Sequence, residues 1–261
     1  MRTLLIDADV LAYRAASACE KAVNWGDGYW TWHCDFDEVL AAFDRDLDKI
    51  MSDLEASFYT LCLTDSEGNF RRSVYPGYKA HRSNVKKPLV LKALKEHLIY
   101  ERAAYFKRGL EGDDCMGILA TRKGTPGEDR IIVSIDKDMK TIPGLYYNDG
   151  KPEEGVVVVT EAEADLKFLK ETLTGDTTDG YPGCPGVGPK KAASLIEGAD
   201  WGMSKFASAK DLFDARWKTV VSTYEKAGLT EDDAIIQARC ARILRASDYD
   251  FKRKEPILWN P

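Results

Sequence analysis

The sequence has few of the residues that build zinc sites, disulfide frameworks or membrane spans. Its 261 residues include three histidines and six cysteines, and no two cysteines form a CxxC pair, so neither a zinc site nor a disulfide framework is indicated. We expect the cysteines to be small buried hydrophobic residues. No apolar run approaches the roughly 20 residues of a membrane-spanning helix, and no charged-then-apolar leader opens the chain. We therefore expect a cytoplasmic protein without a membrane partner.

An excess of positive charge is also missing. The 43 acidic residues outnumber the 37 Lys and Arg residues, which gives a formal charge of -6 and argues against a protein that coats nucleic acid. Residues 71–108 are the exception, with eleven Lys or Arg and two acids. This stretch, which includes Arg71, Arg72, Lys86 and Lys87, is either a solvated face or the contact surface for a phosphate backbone.

Short β-type runs and helical patterns follow one another along the first part of the chain. The runs at residues 3–6, 58–63, 130–135 and 156–159 predict strands, and apolar spacing predicts a helix over residues 37–55. We predict an α/β core over residues 1–160, with a mainly parallel central sheet flanked by helices. Helical patterns at residues 161–172 and 211–227, and a capping-box pattern that starts at Thr230, predict a C-terminal helical lobe over residues 161–261.

Acidic residues follow the ends of several predicted strands. Because the carboxyl ends of parallel strands face one crevice, acids placed there by separate strands converge. Taken singly, each acid is explained as a helix cap or a turn residue. Taken together, nine carboxylates in one crevice would repel one another unless cations compensate, and their oxygens suit Mg²⁺ or Mn²⁺. Two ions about 4 Å apart would activate a water and stabilise the leaving oxygen of a phosphodiester. The nine are Asp7, Asp65, Glu111, Asp113, Asp114, Asp136, Asp138, Asp176 and Asp179.

The first acidic pair allows a second interpretation. Asp7 and Asp9 are spaced like the two aspartates of a haloacid-dehalogenase-type phosphatase, in which the first attacks phosphorus and the second moves a proton. That interpretation leaves the basic stretch and the later acids without a role. If the chain is a nuclease instead, Asp9 is expected to be a helix cap. A third alternative is a noncatalytic protein that binds branched DNA.

Two further segments carry features of DNA binding. Residues 183–191 have the Gly-hydrophobic-Gly turn of a helix-hairpin-helix, with Gly186, Gly188, Lys190 and Lys191 placed to contact a phosphate at a helix N-terminus. An ordinary turn is the alternative. In the segment YPGYKAHR, Tyr78 is a candidate for stacking on a base, and Lys79 and Arg82 are candidates for neutralising the scissile phosphate.

Five blocks of sequence together resemble a known superfamily. They are LLIDADVLAYRAA, LTDSEGNFRRSVYPGYKAHR, LEGDDCMGILA, SIDKDMKTI and TGDTTDGYPGCPGVGPKKAA, and they occur in the order seen in the 5′-nuclease superfamily. That superfamily includes flap endonucleases and the 5′-nuclease domain of bacterial DNA polymerase I. The later ARILRASDYDF and LWNP look most like the 5′-to-3′ exonucleases of podoviruses, which implies a bacteriophage protein that works in the cytoplasm of an infected host.

The resemblance implies a two-metal, PIN-like nuclease that removes nucleotides from 5′ ends and also cuts flaps or RNA in RNA–DNA hybrids. It assigns Asp7, Asp65, Glu111 and Asp113 to a first Mg²⁺, which Mn²⁺ can replace, and the other five acids to a second. Asp7, Asp113, Lys79 and Arg82 would be catalytic. The hairpin would hold duplex DNA and bind a monovalent cation, and replication proteins would be further partners.

Two departures from the family pattern are visible. The Asn that usually follows the paired-Asp loop is replaced by Gly180. The basic segment 71–110 corresponds to an arch over the DNA strand in relatives, and the sequence alone does not show whether it closes.

Overall fold

A computed structural model describes residues 1–84, 86–124, 127–198 and 208–261. Position 85 of the predicted arch-like segment and positions 199–207 of the predicted lobe lie outside the described residues. The chain divides into two compact units. The first, here the sheet unit, comprises Met1–Gly68, Val85–Met139 and Gly144–Val158. The second, here the helical unit, comprises Asn69–Asn84, Lys140–Pro143 and Val159–Pro261.

The described residues form strands and helices in the following order: β1 (Arg2–Asp7), α1 (Ala8–Cys19), β2 (Lys21–Gly26), β3 (Tyr29–His33), α2 (Phe36–Asp53), β4 (Phe58–Leu63), α3 (Arg71–Val74), α4 (Leu91–Tyr100), β5 (Tyr105–Phe106), α5 (Gly112–Thr121), β6 (Asp129–Val133), β7 (Gly144–Tyr147), β8 (Val156–Val159), α6 (Glu161–Thr174), α7 (Pro189–Gly198), α8 (Ala209–Lys226), α9 (Glu231–Ala241), β9 (Tyr249–Asp250) and β10 (Glu255–Pro256). Short 3₁₀ helices cover Ala80–Asn84, Lys137–Thr141, Pro152–Glu154 and Ala246–Asp248.

A six-stranded sheet with the order β5-β4-β1-β6-β7-β8 forms the centre of the sheet unit. β1 pairs in parallel with β4 and β6, and the outer pairs β4–β5 and β6–β7 are also parallel. Residues 4–7 of β1 are all buried, as expected for a parallel strand covered on both faces. The predicted mainly parallel α/β sheet is confirmed. β4 and β8 have the predicted bounds, whereas β6 ends two residues earlier.

Amphipathic helices cover this sheet. α2 begins after the N-cap Asp35, whose side chain accepts the N–H of Glu38. It buries Val39, Phe43 and Leu47 in the core, because residues three or four apart share one helix face. The predicted helix over residues 37–55 is confirmed, shifted by one residue at its start and two at its end.

The helical unit has a core of its own, centred on α6, α8 and α9. It buries Phe168, Leu173, Trp217 and Tyr224. Capping boxes begin α6 at Thr160, α8 at Ser208 and α9 at Thr230, each satisfying backbone N–H groups that a helix start leaves without partners. The predicted helices and the Thr230 capping box are confirmed.

Several elements escaped the sequence analysis: the β2–β3 ribbon, the helices α3 and α4, and the short strands β5 and β7. The predicted arch-like segment 71–110 is divided between the units: α3 and the 3₁₀ turn Ala80–Asn84 belong to the helical unit, and α4 and β5 to the sheet unit. The predicted domain division at residue 160 stays a prediction.

All six cysteines are free thiols, four of them buried, so the expectation of small buried residues is met except at Cys19 and Cys34. Burial raises the pKa of the Cys62 thiol. None of the helices in the described part of the chain has the length and apolar character needed to cross a membrane.

Candidate active site

Asp7 stands where β1 passes directly into α1. It is the last residue of the strand and the N-cap of the helix, and its Oδ1 accepts the N–H of Val10 at 3.2 Å. Its Oδ2 accepts the hydroxyl of Ser134 at 2.7 Å. Burial, followed by the negative charge of Asp9, raises the pKa of Asp7 to about 7, and Asp136 adds to the rise. The carboxylate is thus placed by two elements, and the neighbouring charges that raise its pKa are those of two aspartates.

Asp9 is not the helix cap that the nuclease interpretation predicts. The cap position belongs to Asp7, since α1 begins at Ala8. Asp9 Oδ2 accepts the backbone N–H of Thr64 at 2.8 Å, and its Oδ1 lies 2.6 Å from the ammonium of Lys95. Asp9 therefore links α1 to the end of β4 and to α4, through Lys95, which the sequence analysis did not single out.

Asp65 fastens the end of β4 to the loop before α5. Its Oδ1 accepts the N–H of Glu67 at 3.0 Å, and its Oδ2 accepts the N–H of Gly109 at 2.7 Å. The backbone N–H of Asp65 donates to the carbonyl of Leu110 at 2.9 Å. Asp65 thus stands beside the segment that carries the next group of acids.

The acids of that next group start α5. Glu111 is the N-cap, and its N–H donates to Asp114 Oδ2 at 3.1 Å in a capping box. The cap role considered above for each single acid therefore belongs to Glu111, and Asp113 and Asp114 lie two and three residues inside the helix start. Glu111 and Asp114 are buried, whereas Asp113 is partly exposed. Acids in the first turn also interact favourably with the helix dipole.

Asp136 and Asp138 lie just after β6. The N–H of Asp138 donates to Asp136 Oδ1 at 2.7 Å, and the N–H of Asp136 donates to Ser134 Oγ at 3.1 Å. Ser134 therefore joins Asp136 to Asp7, a role that the sequence analysis missed. Its signal was its position between a buried strand and the predicted acid. Tyr146 donates to the carbonyl of Ser134 at 2.9 Å, and burial raises the pKa of Tyr146 to about 12.

Seven of the nine predicted acids, from Asp7 to Asp138, belong to the sheet unit, and Asp176 and Asp179 belong to the helical unit. The charge effects on Asp7 show that Asp9 and Asp136 are its near neighbours. Across residues 1–84, 86–124, 127–198 and 208–261, no three His, Cys, Asp or Glu side chains are arranged as a ready-made metal site. The convergence of all nine on one pair of ions stays a prediction.

In the helical unit, Asp179 is surrounded by donors. Its Oδ2 accepts the hydroxyl of Tyr78 at 2.8 Å and lies 3.4 Å from the ammonium of Lys79. Its Oδ1 accepts Nη2 of Arg82 at 3.0 Å. We call Tyr78, Lys79, Arg82 and Asp179 the Asp179 cluster. The two predicted catalytic cations are thus held together by a carboxylate that was predicted independently as a metal ligand.

Tyr78 does not present its ring to solvent. It is 2 % exposed and packs in the core of the helical unit, with its ring centroid 6.4 Å from that of Tyr181. The predicted stacking of Tyr78 on a base is therefore wrong for this conformation, because the stacking faces are covered. Its hydroxyl instead orients Asp179.

Gly180 explains one departure from the family pattern. It has φ +78°, and a Cβ added at this position would lie 2.9 Å from the carbonyl oxygen of Gly77. Next to it, the N–H of Lys79 donates to the carbonyl of Asp179 at 2.7 Å. The glycine allows the turn at residues 176–180 to approach the segment that carries Lys79 and Arg82.

Asp176 shapes the same turn. Its Oδ1 accepts the N–H groups of Thr178 at 2.6 Å and Asp179 at 3.1 Å. This is the turn role considered in the sequence analysis for an isolated Asp.

The segment between α6 and α7 contains the predicted hairpin. Gly186, Gly188, Lys190 and Lys191 are exposed, and Lys191 Nζ donates to the carbonyl of Gly186 at 3.2 Å. The N–H of Cys184 donates to the carbonyl of Leu173 at 2.8 Å, which anchors the segment to the end of α6. Its assignment as a helix-hairpin-helix stays a prediction.

Among the remaining residues predicted to contact DNA, the prediction for Arg71 needs correction. It is 1 % exposed, and its guanidinium donates to the carbonyls of Cys240 at 3.1 Å and Arg242 at 2.5 Å. Arg71 therefore holds the C-terminal end of α9 rather than a phosphate. Arg72, Lys86 and Lys87 are exposed.

Comparison with known proteins identifies the family. The model of the 5′-3′ exonuclease N-terminal, resolvase-like domain matches residues 2–164. The chain is 32 % identical to an exonuclease of Escherichia phage T7, over 99 % of this chain and 93 % of that protein. The chain belongs to the 5′-3′ exonuclease family. An exodeoxyribonuclease of Enterobacteria phage T3 is also 32 % identical, over 99 % of this chain and 92 % of that protein.

Solved structures show the same fold. A structure of phage T5 5′-exonuclease with bound zinc has a TM-score of 0.57 at 13 % identity, covering 93 % of this chain and 99 % of that one. The resemblance to phage 5′-to-3′ exonucleases is confirmed, and the enzyme is a 5′-3′ exonuclease of this type. The phosphatase and the noncatalytic DNA binder are thereby set aside.

Proposed function

We propose that this exonuclease hydrolyses DNA phosphodiesters from 5′ ends with two bound divalent metal ions, Mg²⁺ by preference. The observation that carries the proposal is the crowding of acidic charge around Asp7, whose pKa rises to about 7 through burial and the charges of Asp9 and Asp136. A cation at this place would remove the repulsion. The acids are hard oxygen donors, which fit Mg²⁺ or Mn²⁺ better than softer metals.

The carboxylates have separate roles in the proposal. Asp7, Asp65, Glu111 and Asp113 would hold the first ion, and Asp114, Asp136, Asp138, Asp176 and Asp179 would hold or orient the second, some through water. When bound, such ions supply a water of lowered pKa and stabilise charge on the leaving oxygen. The protein's part is placement: Asp7 is held by the Val10 N–H and the Ser134 hydroxyl.

The Asp179 cluster would bind the scissile phosphate. The side chain of Arg82 is 43 % exposed and that of Lys79 is 15 % exposed, so a phosphate can contact each of them. Asp179 fixes the orientation of both cationic groups. Positive groups oriented before the substrate arrives stabilise developing negative charge without reorganising.

Residues 183–191 would hold the duplex backbone. A Cβ added at the exposed Gly186 or Gly188 would have no heavy atom within 4 Å, which leaves room for a phosphate near the start of α7. Lys190 and Lys191 would add charge. We include a monovalent cation at this hairpin in the proposal.

Relatives guide the choice of substrate. A flap endonuclease of Shewanella oneidensis is 28 % identical over 73 % of this chain and 76 % of that protein. A flap endonuclease of phage T5 forms a pseudo-enzyme-product complex with DNA and metal ions. We therefore propose 5′ ends and 5′ flaps of duplex DNA as substrates, with RNA–DNA hybrids as a further substrate and replication proteins as partners.

Duplexes labelled at either 5′ or 3′ ends, incubated with Mg²⁺ or EDTA, test activity, direction and metal dependence together. We expect early release of the 5′ label with Mg²⁺ and none with EDTA. Asp113→Asn should abolish release while DNA binding persists. Activity that persists in EDTA would overturn the metal dependence.

Asp9→Asn is the matched variant in the same unit. It keeps an oxygen for the Thr64 N–H and loses the charge that pairs with Lys95, so most nuclease activity should remain. Complete loss of nuclease activity in this variant, with turnover of a small phosphate ester by the wild type, would overturn the assignment of roles.

A further inference from the structure

The β2–β3 ribbon carries a dense group of exposed aromatic side chains. All residues of both strands are exposed. Trp25 is 69 % exposed, Tyr29 73 %, Trp30 49 % and Trp32 43 %. Large aromatic side chains are normally buried in cores or interfaces, and a cluster of them at the surface marks a binding site. None of the roles assigned above uses this ribbon.

The antiparallel register separates these aromatics onto two faces. Trp32 pairs with Ala22 and Trp30 with Asn24, so Trp30 and Trp32 share one face. Trp25 lies on the opposite face, where its indole N–H donates to Thr31 at 2.9 Å. We call the face that carries Trp30 and Trp32 the Trp30–Trp32 face. Ala22 and Asn24 complete it, and neither carries a negative charge.

A positive charge adjoins the Trp30–Trp32 face. Lys86 Nζ lies 4.0 Å from the ring centroid of Trp32 and 2.8 Å from Glu20. Glu20 helps to hold the ammonium beside the ring, while the Lys86 side chain stays 55 % exposed. Lys87 follows and is also exposed. Two exposed rings, with the ammonium of Lys86 beside one of them and Lys87 next to Lys86 in the sequence, complement a chain of bases and phosphates.

The spacing of the rings favours an unpaired strand. Side chains two residues apart on a β-strand are about 6.7 Å apart, roughly twice the 3.4 Å rise per nucleotide of a duplex strand. Neighbouring bases can occupy two such rings only when they are unstacked from each other. A stretched single strand meets this condition, and a duplex does not.

We propose that the Trp30–Trp32 face, with Lys86 and Lys87, binds unpaired nucleotides of a substrate that has a single-stranded segment. Two bases stack on the two indoles, and the lysines contact the phosphates. This proposal rests on the proposed action on DNA and adds a site for its single-stranded parts.

Binding of a fluorescein-labelled ten-nucleotide oligo-dT and of a blunt duplex, measured by anisotropy in EDTA, tests the proposal. The double variant Trp30→Ala/Trp32→Ala should weaken oligo-dT binding about tenfold or more, since each stacked base contributes substantially. Duplex binding should change less than about twofold. Trp25→Ala, on the opposite face of the same ribbon, should change neither. Unchanged oligo-dT binding by the double variant, or an equal loss in the Trp25 variant, would overturn the proposal.

The double variant Trp30→Phe/Trp32→Phe distinguishes lost stacking from a folding defect, because it keeps two aromatic rings on which bases can stack. It should retain most oligo-dT binding. If it binds as poorly as the alanine variant although its circular dichroism matches the wild type, stacking is refuted. A wild-type dimer that the alanine variant converts to a monomer, with oligo-dT binding unchanged, would mean that the face joins two copies of the chain instead.

Cleavage of a blunt duplex with Mg²⁺ separates this proposal from the proposed function. Wild type and the alanine variant should make the first cut at the blunt end at rates within about threefold, since the duplex has no unpaired segment before that cut. If the wild type does not cleave any duplex, the proposed function fails. If it cleaves and the alanine variant still binds oligo-dT normally, only the proposal for the ribbon fails.

Discussion

The two groups of predicted functional residues differ in how their charge is balanced. In the sheet unit, Asp7 is buried near Asp9 and Asp136, and its pKa rises to about 7. In the helical unit, Asp179 accepts hydrogen bonds from Tyr78 and Arg82 and faces Lys79. The charges that act on Asp7 are those of other aspartates, whereas Asp179 is paired with two cations. Residues that look alike in sequence, aspartates in short acidic motifs, thus enter opposite electrostatic environments.

The largest expected effect concerns Asp7. Asp7→Asn should lower Mg²⁺-dependent nuclease activity by about 100-fold or more, because a ligand and a charge are lost. Asn is as good an N-cap as Asp, so the melting temperature without metal should not fall. Asp46→Asn, at an acid paired with Arg14 on the surface, is the control and should keep full activity. Comparable activity of the two variants would contradict the role of Asp7.

Stabilisation by metal should distinguish the two groups of residues, and the melting temperature measures it without depending on nuclease activity. Saturating Mg²⁺, at about 100 times its Kd, should stabilise the wild type by about 2.7 kcal/mol. That corresponds to a rise of about 5–10 °C in melting temperature. Asp7→Asn should reduce this rise more than Asp179→Asn does, since Asp179 already has cationic partners. Equal reductions, measured by calorimetry, would remove the contrast between the groups.

The tight approach at Gly180 predicts an effect on stability in the helical unit. Gly180→Ala should cost about 2–3 kcal/mol, through a positive φ and a contact with the Gly77 carbonyl. Gly228 has a similar φ of +79° with nothing within 4 Å. Gly228→Ala therefore measures the backbone strain alone and should cost about 1 kcal/mol. Equal costs in urea unfolding would show that the Gly77 contact relaxes freely.

The smallest effect is expected for the hydroxyl of Tyr78. Tyr78→Phe keeps the packed ring and removes one hydrogen bond to Asp179, which should cost about 1 kcal/mol of stability. If the hydroxyl orients Asp179 and its cations, kcat should fall several-fold with KM little changed. A change in KM alone would point instead to substrate binding near this residue.

Much of the fold followed from local patterns in the sequence. The bounds of β4 and β8 and the capping box at Thr230 were predictable, because apolar runs and capping residues act over a few neighbours. The β2–β3 ribbon was not, since its exposed residues have no buried face to impose an alternating pattern. The short β5 and β7 depend on pairing with distant strands.

The candidate site was predictable in its residue types and less so in their contacts. Acids at the ends of β1, β4 and β6 follow from the parallel order of strands. Whether Asp7 or Asp9 is the N-cap depends on where α1 begins, and the predicted and observed starts differ by two residues. The burial of Arg71 depends on its contacts with the end of α9, and that of Tyr78 on the core that contains Tyr181. Nothing in their immediate sequence neighbours indicates either contact. The roles of Ser134 and Lys95 could not be predicted, because each depends on a contact with a residue more than 80 positions away in the sequence.

The distribution of thiols has a practical consequence for labelling. Cys62, Cys115, Cys184 and Cys240 are buried, and burial raises the pKa of each, so they should react slowly with maleimides. If only Cys19 and Cys34 were replaced by serine, the four remaining thiols would contribute little background labelling. A single engineered cysteine in the loop between β2 and β3 could then carry a fluorophore that reports DNA arrival in real time.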